Sequence, residues 1–309
     1  MDLDPQRQAT LDHVLGEVGA SLAAEGDEHA ALTLAYTHSL HRGWRTALRM
    51  LPVPSGITIL DVGSGLGILA FELAANQPLH VEGVDVDARL VAHAGAVLER
   101  LDGEEFFADG ATVRFRQGDA AALPFGSGAF DLAFAREVLQ FVPDPVQALG
   151  EVYRVLRPGG ALCVSDTDDQ LHVTWPPPSP ALGRLVSAVA TVQKARGGDR
   201  TGGRKLSAHC RRAGFTVASV VVLPEANHRV VDDDDAERVL VLRQLRAART
   251  RIVEAGAMAP GDFDADLAAV EAEEAHEEFR MTARVIVLAL KPVEDAGAAP
   301  SDTVAPSAA

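Results

Sequence analysis

Up to about Leu51 the apolar positions recur at helical spacing, with alanine and leucine set among histidines and no strand-like run. The spacing predicts a helix over Glu28–Leu51, ended by Pro52 and Pro54. The texture then changes to a short apolar run, a turn and an amphipathic stretch, repeated. Thr58–Val62, Val81–Val86, Val113–Arg116, Phe130–Ala135 and Ala161–Ser165 read as strands. Ile68–Ala75, Ala88–Leu101 and Val146–Leu156 read as helices between them. Alternation of this kind predicts an α/β fold, a parallel sheet with helices on both faces.

Beyond Asp166 the pattern loosens. Trp175-Pro176-Pro177-Pro178 reads as a stiff connector, and the glycine pairs at 197–198 and 202–203 mark a loop. A helix near Leu206–Ala213 leads through Gly214 into a strand, Thr216–Leu223. Two helices, about Ala236–Ala255 and Asp262–Phe279, precede a final strand, Arg284–Leu290. Val241, Leu245, Ala248 and Ile252 share one face of the first, so it packs on something. This divides the chain into an N-terminal helical cap (1–51), a core (52–226 and 281–292), a helical insertion (227–280) and a disordered tail (293–309).

Composition narrows the classes of function. The 309 residues are 47% hydrophobic and 23% charged, a globular balance, and the net charge of −16 repels phosphate backbones and anionic lipid. Nucleic acid and membrane are therefore not expected partners. Two cysteines without metal-ligand spacing fit a reducing compartment, and the N-terminus lacks a signal-peptide pattern. A cytoplasmic, soluble protein is expected.

The strongest local signal is Thr58-Ile59-Leu60-Asp61-Val62-Gly63-Ser64-Gly65-Leu66-Gly67. A strand ending in closely spaced glycines and opening a helix lets a ligand approach bare backbone at the carboxyl edge of the sheet. Ile68 stands where a dinucleotide loop needs its third glycine, so a ligand without a pyrophosphate is favoured. Asp85, at the end of the second strand, holds the position from which a carboxylate accepts ribose hydroxyls. Asp119, after the third strand, can accept from an exocyclic amino group. Each acid alone could be a solvated loop residue or a helix cap; three at successive strand ends point to a ligand.

On these residues the chain resembles the class I S-adenosylmethionine (SAM) methyltransferases, over roughly Ala30–Asp166 and again at Gly214–Leu223 and Arg284–Leu290. The resemblance rests on Ile59–Gly67, Gly83-Val84-Asp85, Gln117–Leu123, Phe130–Pro145 and Arg154–Gly160. It implies a Rossmann-like, doubly wound seven-stranded sheet with an antiparallel last strand. By the same resemblance Asp61 with Gly63, Gly65 and Gly67 holds the methionine moiety, Asp85 the ribose, and Asp119 with Ala120 the adenine. Val86 would lie against the adenine ring, and Arg136 would contact the cofactor after the fourth strand. Ser39–Arg45 looks like the segment before the glycine loop in the ubiquinone/menaquinone C-methyltransferases. The stretch at about 227–280 departs from that group's plain core and looks like a lid of small-molecule and natural-product enzymes.

The sulfonium of SAM is an activated donor, so the protein must mainly hold a nucleophile in line, adding a base where the nucleophile arrives protonated. Many relatives carry a histidine in a Leu-Gln-His run after the fourth strand; Phe141 replaces it here. The candidate catalytic groups are His41, Arg136 and His172, and the substrate-side candidates are Tyr36, His38, Trp44, Arg45 and Phe141. The competing reading of each is ordinary: a packed helix face for His38 and His41, a surface ion pair for Arg136, a solvated loop for His172. Asp232–Asp235 reads first as charge facing a helix N-terminus, with an acidic mouth for amines as the alternative. Glu273 and His276 have the spacing of half a metal site on a helix, but a single copy reads as a solvated face, and no metal is assigned. The sequence therefore predicts a SAM-dependent transfer to O, N or C of a small molecule, with a homodimer as an open arrangement. The alternatives are a non-methylating cyclisation or rearrangement on the same fold, and SAM binding without turnover.

Overall fold

The computed structural model describes residues 3–34 and 53–293. Helix α1 (Pro5–Ala24) is capped by Asp4, whose carboxylate accepts from the Gln6 and Arg7 amides. Helix α2 starts at residue 28 and is described to 34. The rest of the helix expected to reach Leu51 lies outside the described residues, as do Tyr36, His38, His41, Trp44 and Arg45. Then come β1 (Thr58–Val62), α3 (Ile68–Asn76), β2 (His80–Asp85), α4 (Ala88–Gly103), β3 (Thr112–Gln117), β4 (Phe130–Arg136), α5 (Pro145–Val155) and β5 (Leu156–Thr167). The second half runs β6 (Val173–Trp175), α6 (Pro180–Ala195), α7 (Leu206–Arg212), β7 (Thr216–Val231), α8 (Ala236–Glu254), α9 (Pro260–Glu271) and β8 (His276–Leu290).

The strands form one sheet in the order β3-β2-β1-β4-β5-β8-β7. β1 to β5 are parallel, while β8 runs antiparallel to both β5 and β7. The expected sheet has seven strands and the structure has eight: β6 pairs with Phe279–Met281 of β8, continuing the line of β5. Alternation along each strand builds two cores. Leu60, Ala133, Val164 and Val287 meet α5 and α7 on one face, and Ile59, Phe134, Cys163 and Ile286 share the other, where α3 packs on Ile59 and Phe134. α1, α2 and α4 extend that second side through Leu15, Leu34 and Val97, which cluster with Phe71 of α3.

The segment between the last two strands differs from expectation. Residues 227–231 and 276–280 are strand, because β7 and β8 continue as a hairpin well beyond the core. The second insertion helix ends at Glu271, so Glu273 and His276 do not share a helix face and the basis of the half metal site fails. Among the described residues no group of three or more His, Cys, Asp or Glu could hold a metal ion. Asp235 caps α8 by accepting from the Arg238 amide. α8 and α9 pack with α6, outside the insertion, around their own core of Leu185, Val192, Leu245, Ile252 and Phe263. Arg184 of α6 clamps Asp266 of α9, and the buried Arg238 donates to the carbonyls of Val270, Glu271 and Glu273 at the α9 terminus. Among the described residues no helix is long and apolar enough to cross a membrane.

Candidate active site

The glycine loop leaves β1 with Gly63, Gly65 and Gly67 all at positive φ. At Gly63 a Cβ would lie 2.3 Å from a Val138 methyl carbon, so the loop closes against the segment after β4. At Gly65 (φ 54°) a Cβ would meet nothing within 4 Å, so bare backbone there faces open space. The Gly65 amide donates to Asp85 Oδ2 at 2.8 Å, and the Asp87 amide donates to Asp85 Oδ1 at 2.9 Å. The Asp85 carboxylate is thereby fixed at the end of β2 with lone pairs to spare. Val86 beyond it is 68% exposed, an apolar side chain held in the open. Asp119 is exposed after β3 and accepts from the Ala121 amide, while Ala120 packs against the core.

Asp61 is buried (3% exposed), and its Oδ2 has no hydrogen-bond partner among the described residues; nor has the buried Ser64 Oγ. Burial pushes the Asp61 carboxyl up to about 7, against the pull of Arg136 and with a push from Asp85. A buried carboxylate oxygen without a hydrogen-bond partner, beside a glycine loop that opens on space, fits a ligand's positive group. SAM carries an ammonium and a sulfonium, and these residues fit it: Asp61 and Ser64 for the methionine end, Asp85 for the ribose, Val86 and Asp119 for the adenine.

The carboxyl ends of β4 and β5 hold one group that the sequence singled out, Arg136, and two that it missed, Glu137 and Asp166. Arg136 is not on the surface. It shares the sheet face of Asp61, where burial depresses its pKa while Asp61, Glu137 and Glu72 pull it up. Glu137 follows with φ 57°, a left-handed conformation rare outside glycine and common where strain serves a site. Its Oε2 accepts from Gln140 Nε2 (2.9 Å) and the Thr167 amide (3.2 Å). On β5, Asp166 is fully buried and accepts the Gln140 amide on Oδ2 (3.1 Å). Glu137 Oε1 and Asp166 Oδ1 have no hydrogen-bond partner among the described residues. Burial raises both acids; Arg284 and Arg136 oppose this at Glu137, and Glu137 reinforces it at Asp166. Extending the strand-end-acid argument from β1, β2 and β3 to β4 and β5 would have found both.

Gln140 joins three loops, since its carbonyl also accepts from the Asp199 amide (2.8 Å) and Gln193 Nε2 (3.0 Å). Two further clamps hold the loop after β5: Arg204 on Asp168, whose side chain is fully buried, and Arg200 on Asp169. His172, the candidate from that loop, is half-buried and burial lowers its pKa, favouring neutral imidazole. Phe141 is 59% exposed.

Residues 60–164 match the family described as methyltransferase domain. The chain is 32% identical to 27-O-demethylrifamycin SV methyltransferase of Amycolatopsis mediterranei over 45% of this chain and 48% of that protein. It is 39% identical to demethylmenaquinone methyltransferase of Thermus thermophilus over 40% of this chain and 50% of that one. A solved Bacillus halodurans protein, named as a candidate methyltransferase, superposes with a TM-score of 0.52 at 18% identity, covering 80% of this chain and 98% of its own. The chain spans about half to three fifths of the length of these curated relatives.

Fold and loop agree with the match of residues 60–164 to a methyltransferase domain, and the class they point to is that of the SAM-dependent methyltransferases. Within that class it resembles the ubiquinone/menaquinone C-methyltransferase group, as its sequence suggested, and SAM is the cofactor the domain implies.

Proposed function

We propose that this chain transfers the methyl group of SAM to oxygen, nitrogen or carbon of a small molecule. The observation that carries this is the buried Asp61, whose Oδ2 has no hydrogen-bond partner among the described residues, beside a glycine loop whose centre opens on space and whose Gly65 amide is tied to Asp85. Bound SAM supplies an activated methyl group. Asp61 and Ser64 bind its ammonium, Asp85 accepts the ribose hydroxyls, and Asp119 accepts from the adenine. Glu137, Asp166 and neutral His172 frame the acceptor end, where a carboxylate or imidazole can take a proton from an O–H or N–H acceptor. The α6–α8–α9 unit excludes water from the cleft and orients the acceptor, acting with the N-terminal helices. A net charge of −16 supports a small-molecule acceptor over nucleic acid. A role in natural-product metabolism, a cytoplasmic location and a homodimer complete the reading; the rifamycin relative supports the first.

Incubation with methyl-labelled SAM and panels of phenols, amines and quinols tests it. Labelled product supports methyl transfer. Unlabelled product would favour a cyclisation or rearrangement on this fold, and calorimetric SAM binding with no product would favour binding without turnover.

A further inference from the structure

We propose that the α6–α8–α9 unit is latched over the adenosine end of the cleft by Arg243 and Glu28, and that cofactor exchange requires this latch to open. The proposal rests on the assignment of the cleft to SAM. Arg243, on α8, donates from Nε and Nη2 to the two carboxylate oxygens of Glu28, at 3.1 and 3.0 Å. The two residues are 215 apart in the chain.

Their places in the fold give the contact its meaning. Glu28 opens α2 directly after Asp27, the cap that accepts from the Ala30 amide. Asp27 lies 3.4 Å from His93 Nε2 of α4, and His29 lies 3.6 Å from Asp87. Asp87 is the N-cap of α4 and stands two residues beyond Asp85. The start of α2 therefore sits at the β2 end of the cleft, beside the ribose acid and Val86. α8 is rooted at the opposite side, where Arg280 of β8 pairs with Glu237 and Arg229 of β7 bridges Asp235, Glu237 and Glu278. Between β2 and β8 lie β1, β4 and β5, four strand spacings or about 19 Å of sheet. From Glu237 to Arg243 α8 rises about 9 Å, so the helix together with the long Arg243 and Glu28 side chains bridges the carboxyl ends of the strands between.

The unit is stiff and the latch is weak. Its apolar core and the Arg184–Asp266 and Arg249–Asp264 clamps hold α6, α8 and α9 as one body. The Arg243 and Glu28 side chains are 36% and 45% exposed, so water competes for the pair. A contact of that strength can break at every exchange, and it lies where a rigid roof would lift from its rim.

The test uses the full chain with Glu28→Cys and Arg243→Cys, joined by a short bis-maleimide. Cys163 and Cys210 are buried, and burial pushes both thiols up to about 12, so the new pair reacts selectively. Protein locked with methyl-labelled SAM inside is expected to keep the label through desalting, and protein locked empty to take up none. The same variant before locking should exchange label freely. Empty locked protein that binds SAM at the unlocked rate overturns the latch. A second measurement uses Glu28→Gln and Arg243→Gln, each expected to speed SAM dissociation about two- to five-fold, with the double variant no faster than either. Unchanged or additive rates overturn the proposal. Wild-type protein that fails to bind SAM in calorimetry removes the cofactor assignment and the latch with it; SAM binding with no effect of locking removes the latch alone.

Discussion

The two ends of the cleft are built from different materials. The end we assign to SAM uses main chain and strand-end acids drawn from one contiguous stretch, β1 to β3, with its turn geometry written in glycine. The end we assign to the acceptor gathers Glu137, Gln140, Asp166 and Asp199 from far apart by cross-loop hydrogen bonds, with Arg284 3.8 Å from Glu137. The first kind of construction holds a fixed ligand with few residues. The second can be rebuilt one loop at a time, and in it burial raises the Glu137 and Asp166 carboxyls above the usual range.

The largest expected effect tests the methionine end. Between about pH 4 and 7 the folded protein keeps Asp61 protonated while the unfolded chain releases that proton, so stability falls as pH rises. Asp61→Asn removes this loss, with a ceiling on the order of 4 kcal/mol at pH 8 that vanishes near pH 4. Glu137 and Asp166 act in the same direction, so some pH dependence should remain in urea melts of the variant. Wild-type SAM affinity should rise with pH through about 7 as Asp61 ionises, and the variant should lose this rise in calorimetry. A variant with the wild-type pH profile in both experiments would remove Asp61 from the site.

A smaller loss is expected for Gly63→Ala, about 2–3 kcal/mol in denaturant melts, from positive φ and the collision with Val138. Val138→Ala should recover part of it by relieving the collision and not the backbone strain. Asp85→Ala should weaken SAM binding about ten- to a hundred-fold by removing acceptors for the ribose hydroxyls. Unchanged affinity in folded protein would defeat that assignment. The smallest effect sharpens the contrast between the two ends. Gln140→Leu should cost about 1 kcal/mol by removing the side-chain bond to Glu137, and leave SAM affinity nearly untouched. If SAM affinity fell as far as in Asp85→Ala, the two ends would not be separate devices.

The same contrast explains what the sequence made legible. The strand–helix alternation and the loop at 61–67 could be read directly, because each is a local pattern with a local cause. The acids at 85 and 119 followed from counting strand ends. Glu137 stayed hidden because nothing in Arg136-Glu137-Val138 announces a left-handed backbone, and Asp166 because its neighbours in Ser165–Asp169 are polar or acidic too. Arg136 was legible as a candidate from its place after the fourth strand, and its burial beside Asp61, Glu137 and Glu72 tells against the competing reading of a surface ion pair. The stretch after Leu223 was misread where a strand hairpin leaves the core: its alternation continues through Glu225, Asn227 and Arg229, polar residues that suggest a loop. Glu225 and Arg229 are only partly exposed, and they meet Arg284 and Glu278 across the two strands.

The sharing of one apolar core by α6, α8 and α9 bears on how such a protein could be re-engineered. An inserted segment that folds on itself can be exchanged between scaffolds as a cassette. This one cannot, because Leu185, Ala188 and Val192 belong to the helix that leads from β6 to α7 in the parent chain. Excising 236–271 would leave that helix with a bare greasy stripe and a propensity to aggregate. Grafting the same residues elsewhere would present a half-core with nothing to close it. A chimera that respects the protein's construction would carry 176–205 along with the insertion, and swaps in nature should show the same two-part joinery.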